Sequence, residues 1–176
     1  MKKILFSTLT FFTLLQAASF QEYPNAITLT MGYMYNDSES NLEDGMIHGI
    51  RYNQNIYNAD SPFAVDSYQI ALDVASFGYA DSDDTTSYVN LGGNLLWYFN
   101  TQSNLIPYML LGAGFNYVGN AKEPQNTLSL YTNAGAGAEF MIRNNVSLVG
   151  EARYIYIGPK RQAVNTNVGL KFSYGD

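Results

Sequence analysis

The chain has 176 residues, with 15 Asp and Glu against 9 Lys and Arg, a net charge of -6 and a pI near 4.6. An acidic chain has no cationic footprint for nucleic acid, and the absence of cysteine excludes a disulfide framework and any thiolate metal site. Charged residues make up only 14% of it, where a soluble domain averages about 25%, while Gly and Tyr number 15 each.

The first 19 residues have the pattern of a secretory signal. Lys2 and Lys3 precede a mostly apolar stretch over 4–15, and Ala17, Ala18 and Ser19 supply small residues for cleavage. The apolar stretch is shorter than the ~20 residues a spanning helix needs. Cleavage takes the basic count from 9 to 7 against 15 acids, and the net charge from -6 to -8. Residues 20–176 then form one domain, with no Pro/Ser-rich linker.

Eight stretches alternate apolar and small polar residues, the two-residue period of a β-strand with one oily face and one wet face. Residues 26–36 place Ile27, Leu29, Met31, Tyr33 and Tyr35 on the oily face. Residues 46–55 set Ile50 and Tyr52 against Gly49, Arg51 and Asn53, and 65–75 set Tyr68, Ile70, Leu72 and Val74 against Gln69 and Asp73. In 88–99, Val89, Leu91, Leu95, Trp97 and Phe99 oppose Asn90, Gly92 and Asn94. In 106–118, Met109, Leu111, Ala113, Phe115 and Tyr117 oppose Gly112, Gly114 and Asn116.

The last three stretches keep the rule. Residues 128–141 carry Leu128, Leu130, Ala134, Ala136, Ala138 and Phe140 opposite Tyr131, Asn133, Gly135, Gly137 and Glu139. Residues 146–157 carry Leu148, Ala152, Tyr154 and Tyr156 opposite Glu151 and Arg153. Residues 164–174 carry Val164, Val168, Leu170, Phe172 and Tyr174 opposite Asn165, Asn167, Gly169, Lys171 and Ser173.

The connections 37–44, 78–86 and 119–127 are long and polar, whereas 100–104 and 143–145 are tight. That asymmetry is expected between outer loops and periplasmic turns. Two segments strain it: 55–62 is long for a periplasmic turn, and 158–161 is short for an outer loop.

Which face meets water decides the class. A soluble lipocalin-like barrel turns its apolar face inward and needs Lys and Glu outside. Here the second face is Gly, Asn, Ser, Thr and Gln with few charges, the mixture a crowded narrow lumen requires. The aromatic residues Tyr33, Tyr35, Trp97, Phe99, Tyr117, Phe140, Tyr154, Tyr156, Phe172 and Tyr174 cluster near strand ends, as in the two girdles at membrane interfaces. The expected fold is all-β: an eight-stranded antiparallel up-and-down transmembrane β-barrel.

Three stretches carry a family resemblance: Pro107-Tyr108-Met109-Leu110-Leu111-Gly112-Ala113-Gly114-Phe115, Asn133-Ala134-Gly135-Ala136-Gly137-Ala138-Glu139-Phe140, and Leu148-Val149-Gly150-Glu151-Ala152-Arg153-Tyr154. With these the chain resembles the OmpA-like outer-membrane β-barrel family over its whole mature length. The sequence ends at Asp176, without the peptidoglycan-binding domain of OmpA proper, so no wall-anchoring role is carried over. The last strand ends Tyr174-Gly175-Asp176 rather than on a terminal aromatic residue. The resemblance implies a polar network plugging the lumen, sometimes described as a gate.

The inward charges Arg51, Asp73, Glu139, Glu151, Arg153 and Lys171 are the candidate lumen network. A buried charge left alone costs several kcal/mol, so they must pair. Arg153, Lys171 and Arg51 are the cations expected to neutralise Glu139 and Glu151, whereas the wet-face Asn94 and Asn116 are expected to tolerate Ser. His48, the sole histidine, falls on the outer face, close to the headgroup zone. With Ser38, Asp81 and Ser82 it is the only candidate for a catalytic rim, and no flanking motif supports one.

The acids of the loops, Asp37, Glu39, Glu43, Asp44, Asp81, Asp83 and Asp84, could share divalent cations with lipopolysaccharide phosphates, although solvated loop tips are the plainer reading. No metal site, cofactor or catalysis is therefore expected. The expected protein is a monomer in the outer membrane of a Gram-negative bacterium. Its partners are outer-membrane lipids, lipopolysaccharide and, during biogenesis, the barrel-assembly machinery. Structural service with a plugged lumen is the leading function, ahead of a narrow porin-like channel and a surface adhesin.

Overall fold

The computed structural model describes residues 23–37, 42–56, 65–79, 82–99, 103–119, 127–158 and 161–175. The leader lies outside the described residues, as do Ser38, Glu39 and Asp81. The eight strands are β1 (Asn25–Asn36), β2 (Gly45–Asn55), β3 (Ser67–Tyr79), β4 (Ser82–Tyr98), β5 (Leu105–Gly119), β6 (Thr127–Arg143), β7 (Val146–Ile157) and β8 (Arg161–Tyr174). Each pairs antiparallel with its sequence neighbour, and β8 closes on β1 from Asn25↔Tyr174 to Asn36↔Ala163. Closure leaves no sheet edge, which is what a strand needs where no water is available to satisfy its amides.

The ends of the barrel differ. One carries the β1–β2, β3–β4, β5–β6 and β7–β8 connections, here called the loop end; the other, the terminal end, holds the start of β1, the end of β8 and the remaining turns. Hydrogen-bonded rows climb round the wall, from Thr28 low on β1 through Arg51, Ala71, Gly92, Gly114 and Tyr131 to Ile157 at the top of β7. This climb is the strand tilt that closing a barrel demands.

Alternation places the side chains as expected. Leu29, Met109, Leu111 and Leu130 point outward with half or more of their surface exposed. On the other face Arg51, Asn53, Gln69, Asp73, Asn90 and Asn94 are buried. At the β6–β7 turn, Asn144 and Asn145 supply a residue type that tolerates turn geometry. Gly158, with φ of 58°, turns the chain out of β7 in the left-handed region that favours glycine.

The expected loop over 78–86 is mostly strand. β3 runs on to Tyr79 and β4 begins at Ser82, with Ser76↔Ser87, Phe77↔Thr86 and Gly78↔Thr85 in register and a shift at Gly78/Tyr79. The ladder bonds backbone to backbone, so it continues through polar side chains, and Thr85 and Thr86 are β-branched residues that suit it. The adjoining segment also pairs: Leu42 bridges Tyr79, and the Glu43 amide donates to the Gly78 carbonyl.

Candidate functional site in the barrel lumen

Packing inside the barrel combines two apolar clusters with buried charged side chains. At the loop end Met34, Ile47, Phe77, Tyr88, Ile155 and Ile157 belong to one apolar cluster, and Leu42 folds in from the β1–β2 connection. At the terminal end Leu96, Tyr98, Ile106, Tyr108, Met141 and Val149 form a second. The six charged side chains lie in the lumen, all buried. The strand pattern set Tyr131 of the first cluster on the inner face but missed most of both clusters. A signal existed: at Tyr88-Val89, Tyr117-Val118 and Ile155-Tyr156-Ile157 the alternation stops and both faces are apolar.

The charges form three pairs. Arg51 Nη2 lies 2.6 Å from Asp73 Oδ1, and Lys171 Nζ lies 2.6 Å from Glu139 Oε1. The Arg153 guanidinium pairs with Glu151, two residues away on the same inner face of β7. Arg51 thus neutralises Asp73 on the adjoining strand rather than either glutamate; Gly49↔Asp73 and Arg51↔Ala71 put the two side chains one step apart.

Tyrosines and amides extend two of the pairs. The Tyr98 hydroxyl donates to Glu139 Oε1 (2.8 Å) and accepts from Lys171 Nζ (3.2 Å). The Tyr108 hydroxyl donates to Glu151 Oε2 (2.9 Å). The two rings meet edge-on, centroids 5.6 Å apart. Arg153 Nη2 also donates to Gln69 Oε1 (2.9 Å), which accepts a second bond from Asn94 (2.9 Å), and Asn94 in turn accepts from Asn133 (3.0 Å). Asn116 donates to Asn90 (2.7 Å), whose amide donates to the Tyr88 hydroxyl (2.8 Å). Asn94 and Asn116 are therefore members of amide chains, and the expected tolerance to Ser is revised: each change removes a buried hydrogen bond.

Glycine makes room for this filling. Tyr108, Gly137 and Glu151 lie side by side on β5, β6 and β7, and a Cβ on Gly137 would sit 2.5 Å from the Tyr108 hydroxyl. Tyr131 lies in the same way over Gly114 and Gly92. Large side chains span the lumen because their neighbours have none. What remains beside Arg51, Gln69, Glu139, Glu151 and Lys171 is a cavity of about 10 Å³, the room of a single water molecule.

The remaining candidates are on the outer wall or at its ends. Tyr33, Tyr35, Tyr117, Tyr154 and Tyr156 point outward toward the loop end. Trp97, Phe99, Phe140, Phe172 and Tyr174 do so toward the terminal end, joined there by Tyr52 and Tyr68. His48 is exposed on the outer face of β2, paired with Met31 on β1 and Val74 on β3. Its proposed partners Ser38 and Asp81 lie outside the described residues. Of the loop acids, Asp44 Oδ1 accepts the Asn36 amide at 2.7 Å, and Asp83 is exposed. No cluster of metal-binding type occurs among the described residues.

Residues 4–172 match the outer membrane protein beta-barrel domain family. The chain belongs to that family. An outer-membrane barrel of this kind meets lipid with its exposed Leu, Met and aromatic side chains and encloses its polar ones, as here. Among solved structures it is similar to neisserial surface protein A, at 16% identity and a TM-score of 0.67 over 86% of this chain and 97% of that one. The N-terminal β-barrel domain of Pseudomonas aeruginosa OprF is similar at 15% identity and a TM-score of 0.55, covering 86% of this chain and 100% of that one. The outer membrane enzyme PagL is similar at 13% identity and a TM-score of 0.51, covering 85% and 99%. At such identities the likeness is one of fold. No curated protein sequence matches the chain.

Proposed function

We propose that this protein is a structural outer-membrane barrel with a sealed lumen, exported through its leader into a Gram-negative envelope. There it displaces lipid with an apolar wall and presents short connections at the surface. The observation that carries the reading is the filling of the lumen: two apolar clusters and three ion pairs occupy it, and the cavity among those pairs is about 10 Å³. A conducting pore needs a continuous aqueous path, and side chains that span the lumen over glycine argue against one. Against an adhesin stands the short span of the connections, since a specific interface takes about 800 Å² per partner.

Catalysis is not part of the proposal. PagL is an outer membrane enzyme on a similar barrel, but the sole histidine of this chain faces outward, away from the lumen. Outer-membrane lipids and lipopolysaccharide are the proposed surroundings, and the barrel-assembly machinery the proposed partner in biogenesis.

Single-channel recording of the refolded full chain in planar bilayers tests this reading. The expected record is quiet, and truncating Lys171 or Arg153 raises the frequency of openings. A wild-type barrel with steady conductance, indifferent to both residues, overturns the sealed lumen in favour of a channel.

A further inference from the structure

The polar atoms Thr30 Oγ1, Asn167 Nδ2 and Arg51 Nε lie buried beside the lumen cavity without a partner among the described residues. Asn167 and Arg51 are themselves almost wholly buried, at 5% and 1% exposure. An unmade hydrogen bond on such a group costs its full desolvation. Folded interiors therefore satisfy nearly all of them, with protein or with ordered water.

Register draws the three around one point. Thr30 pairs with Gly169 and Gly32 with Asn167, so Thr30 and Asn167 stand on a diagonal of the β1–β8 ladder, about 7–8 Å apart at the backbone. Arg51 comes from the other side of β1, where it pairs with Thr28. The cavity of about 10 Å³ is lined by all three and also by Glu139, Glu151 and Lys171. It therefore touches a member of every ion pair in the lumen: Arg51 of the first, Lys171 and Glu139 of the second, Glu151 of the third.

We infer that this cavity is a built site for one water molecule, the bridge between the three ion pairs. The unpartnered set selects the ligand. Asn167 Nδ2 and Arg51 Nε only donate, the carboxylates of Glu139 and Glu151 only accept, and the Thr30 hydroxyl does either. A metal ion would satisfy the oxygens and be repelled by Arg51 and Lys171; an anion would satisfy the nitrogens and be repelled by the glutamates. Water matches both kinds, and about 10 Å³ is the smallest room that holds one. It accepts from Asn167 and Arg51, and donates to Thr30 and to a glutamate carboxylate. One shared water transmits less than a direct contact, so the pairs stay separate in energy while Arg51 and Asn167 are held in place. The inference rests on the sealed-lumen reading, because a lone water stays put only where no aqueous path reaches it.

Nuclear Overhauser spectroscopy of the refolded, isotope-labelled chain in detergent micelles tests this. The Asn167 side-chain amide protons, assigned by their loss in Asn167→Ala, should show dipolar cross-peaks to a long-lived water. Thr30→Val keeps the shape of threonine without the hydroxyl. It should weaken those cross-peaks and lower the urea unfolding midpoint, whereas Thr30→Ser should keep the cross-peaks. Every variant is first shown to migrate as a folded barrel before boiling. Absence of the cross-peaks in the wild type overturns the inference. So does a midpoint that Thr30→Val leaves unchanged or raises, because an unpartnered buried hydroxyl is better removed than kept. A midpoint that shifts with the identity of cation or anion at fixed ionic strength overturns it in favour of an ion. Conductance separates the two readings. A quiet barrel without the long-lived water sinks this inference and leaves the seal standing, whereas short-lived cross-peaks in a conducting barrel sink both.

Discussion

Glu151 receives donors from two sides, the Arg153 guanidinium on its own strand and the Tyr108 hydroxyl two strands away. It is buried, and its carboxylate holds its place only while both remain. Arg153→Ala leaves that charge alone in the lumen and should cost about 3–5 kcal/mol, measured by urea unfolding of the refolded barrel. Because the lumen holds three pairs rather than one undivided network, double-mutant cycles should separate them. Glu151 with Arg153, and Glu139 with Lys171, should couple by ~0.5–3 kcal/mol, whereas Glu151 with Lys171 should couple far less. Comparable coupling in all three cycles would restore the single network. Asn94 belongs to the same argument: it donates to Gln69 and accepts from Asn133, so Asn94→Ser should cost about 1 kcal/mol instead of passing unnoticed.

Strands add a constraint no single residue carries, since every side chain faces either lipid or lumen and its neighbours share that choice. Leu111, outward on β5 and 53% exposed, should cost ~2–4 kcal/mol when replaced by Arg, the penalty of a cation at the bilayer midplane. Its neighbour in the same strand, Leu110, is buried against the lumen filling, and Leu110→Ala should instead fail by leaving a cavity. Gly137 on β6 tests packing between strands. Any Cβ there pushes on the Tyr108 hydroxyl, so Gly137→Ala should lose about 1–3 kcal/mol by overpacking, read as a lower unfolding midpoint. An unchanged midpoint would mean that Tyr108 moves aside freely and that its bond to Glu151 is dispensable.

At the scale of the molecule, closure of β8 on β1 makes unfolding cooperative and removes every edge. The mature chain should fractionate with outer membranes and migrate faster before boiling than after. Quantitative recovery in the soluble periplasmic fraction would contradict the outward apolar wall. Function at this scale is set by what fills the barrel, and the filling is of two kinds. Apolar clusters exclude water by volume, while the buried charged set is neutral overall, three cations facing three anions. On the proposed reading, a neutral, filled lumen neither draws an ion in nor gives it a path.

Sequence alone determined the membrane wall, the strand count and the inward set of six charges, because all three follow from a period of two. Alternation depends only on neighbours along one strand, and it survives any uncertainty about which strands meet. The pairing of Arg51 with Asp73 and the bond from Tyr108 to Glu151 across Gly137 were decided by tertiary structure. Each depends on inter-strand register, and a shift of register changes which side chains meet while leaving the composition of every strand untouched. The apolar clusters at the ends were hidden for a related reason. Where Ile155, Tyr156 and Ile157 are all apolar, the period vanishes, and only the closed barrel says which of them face one another inside.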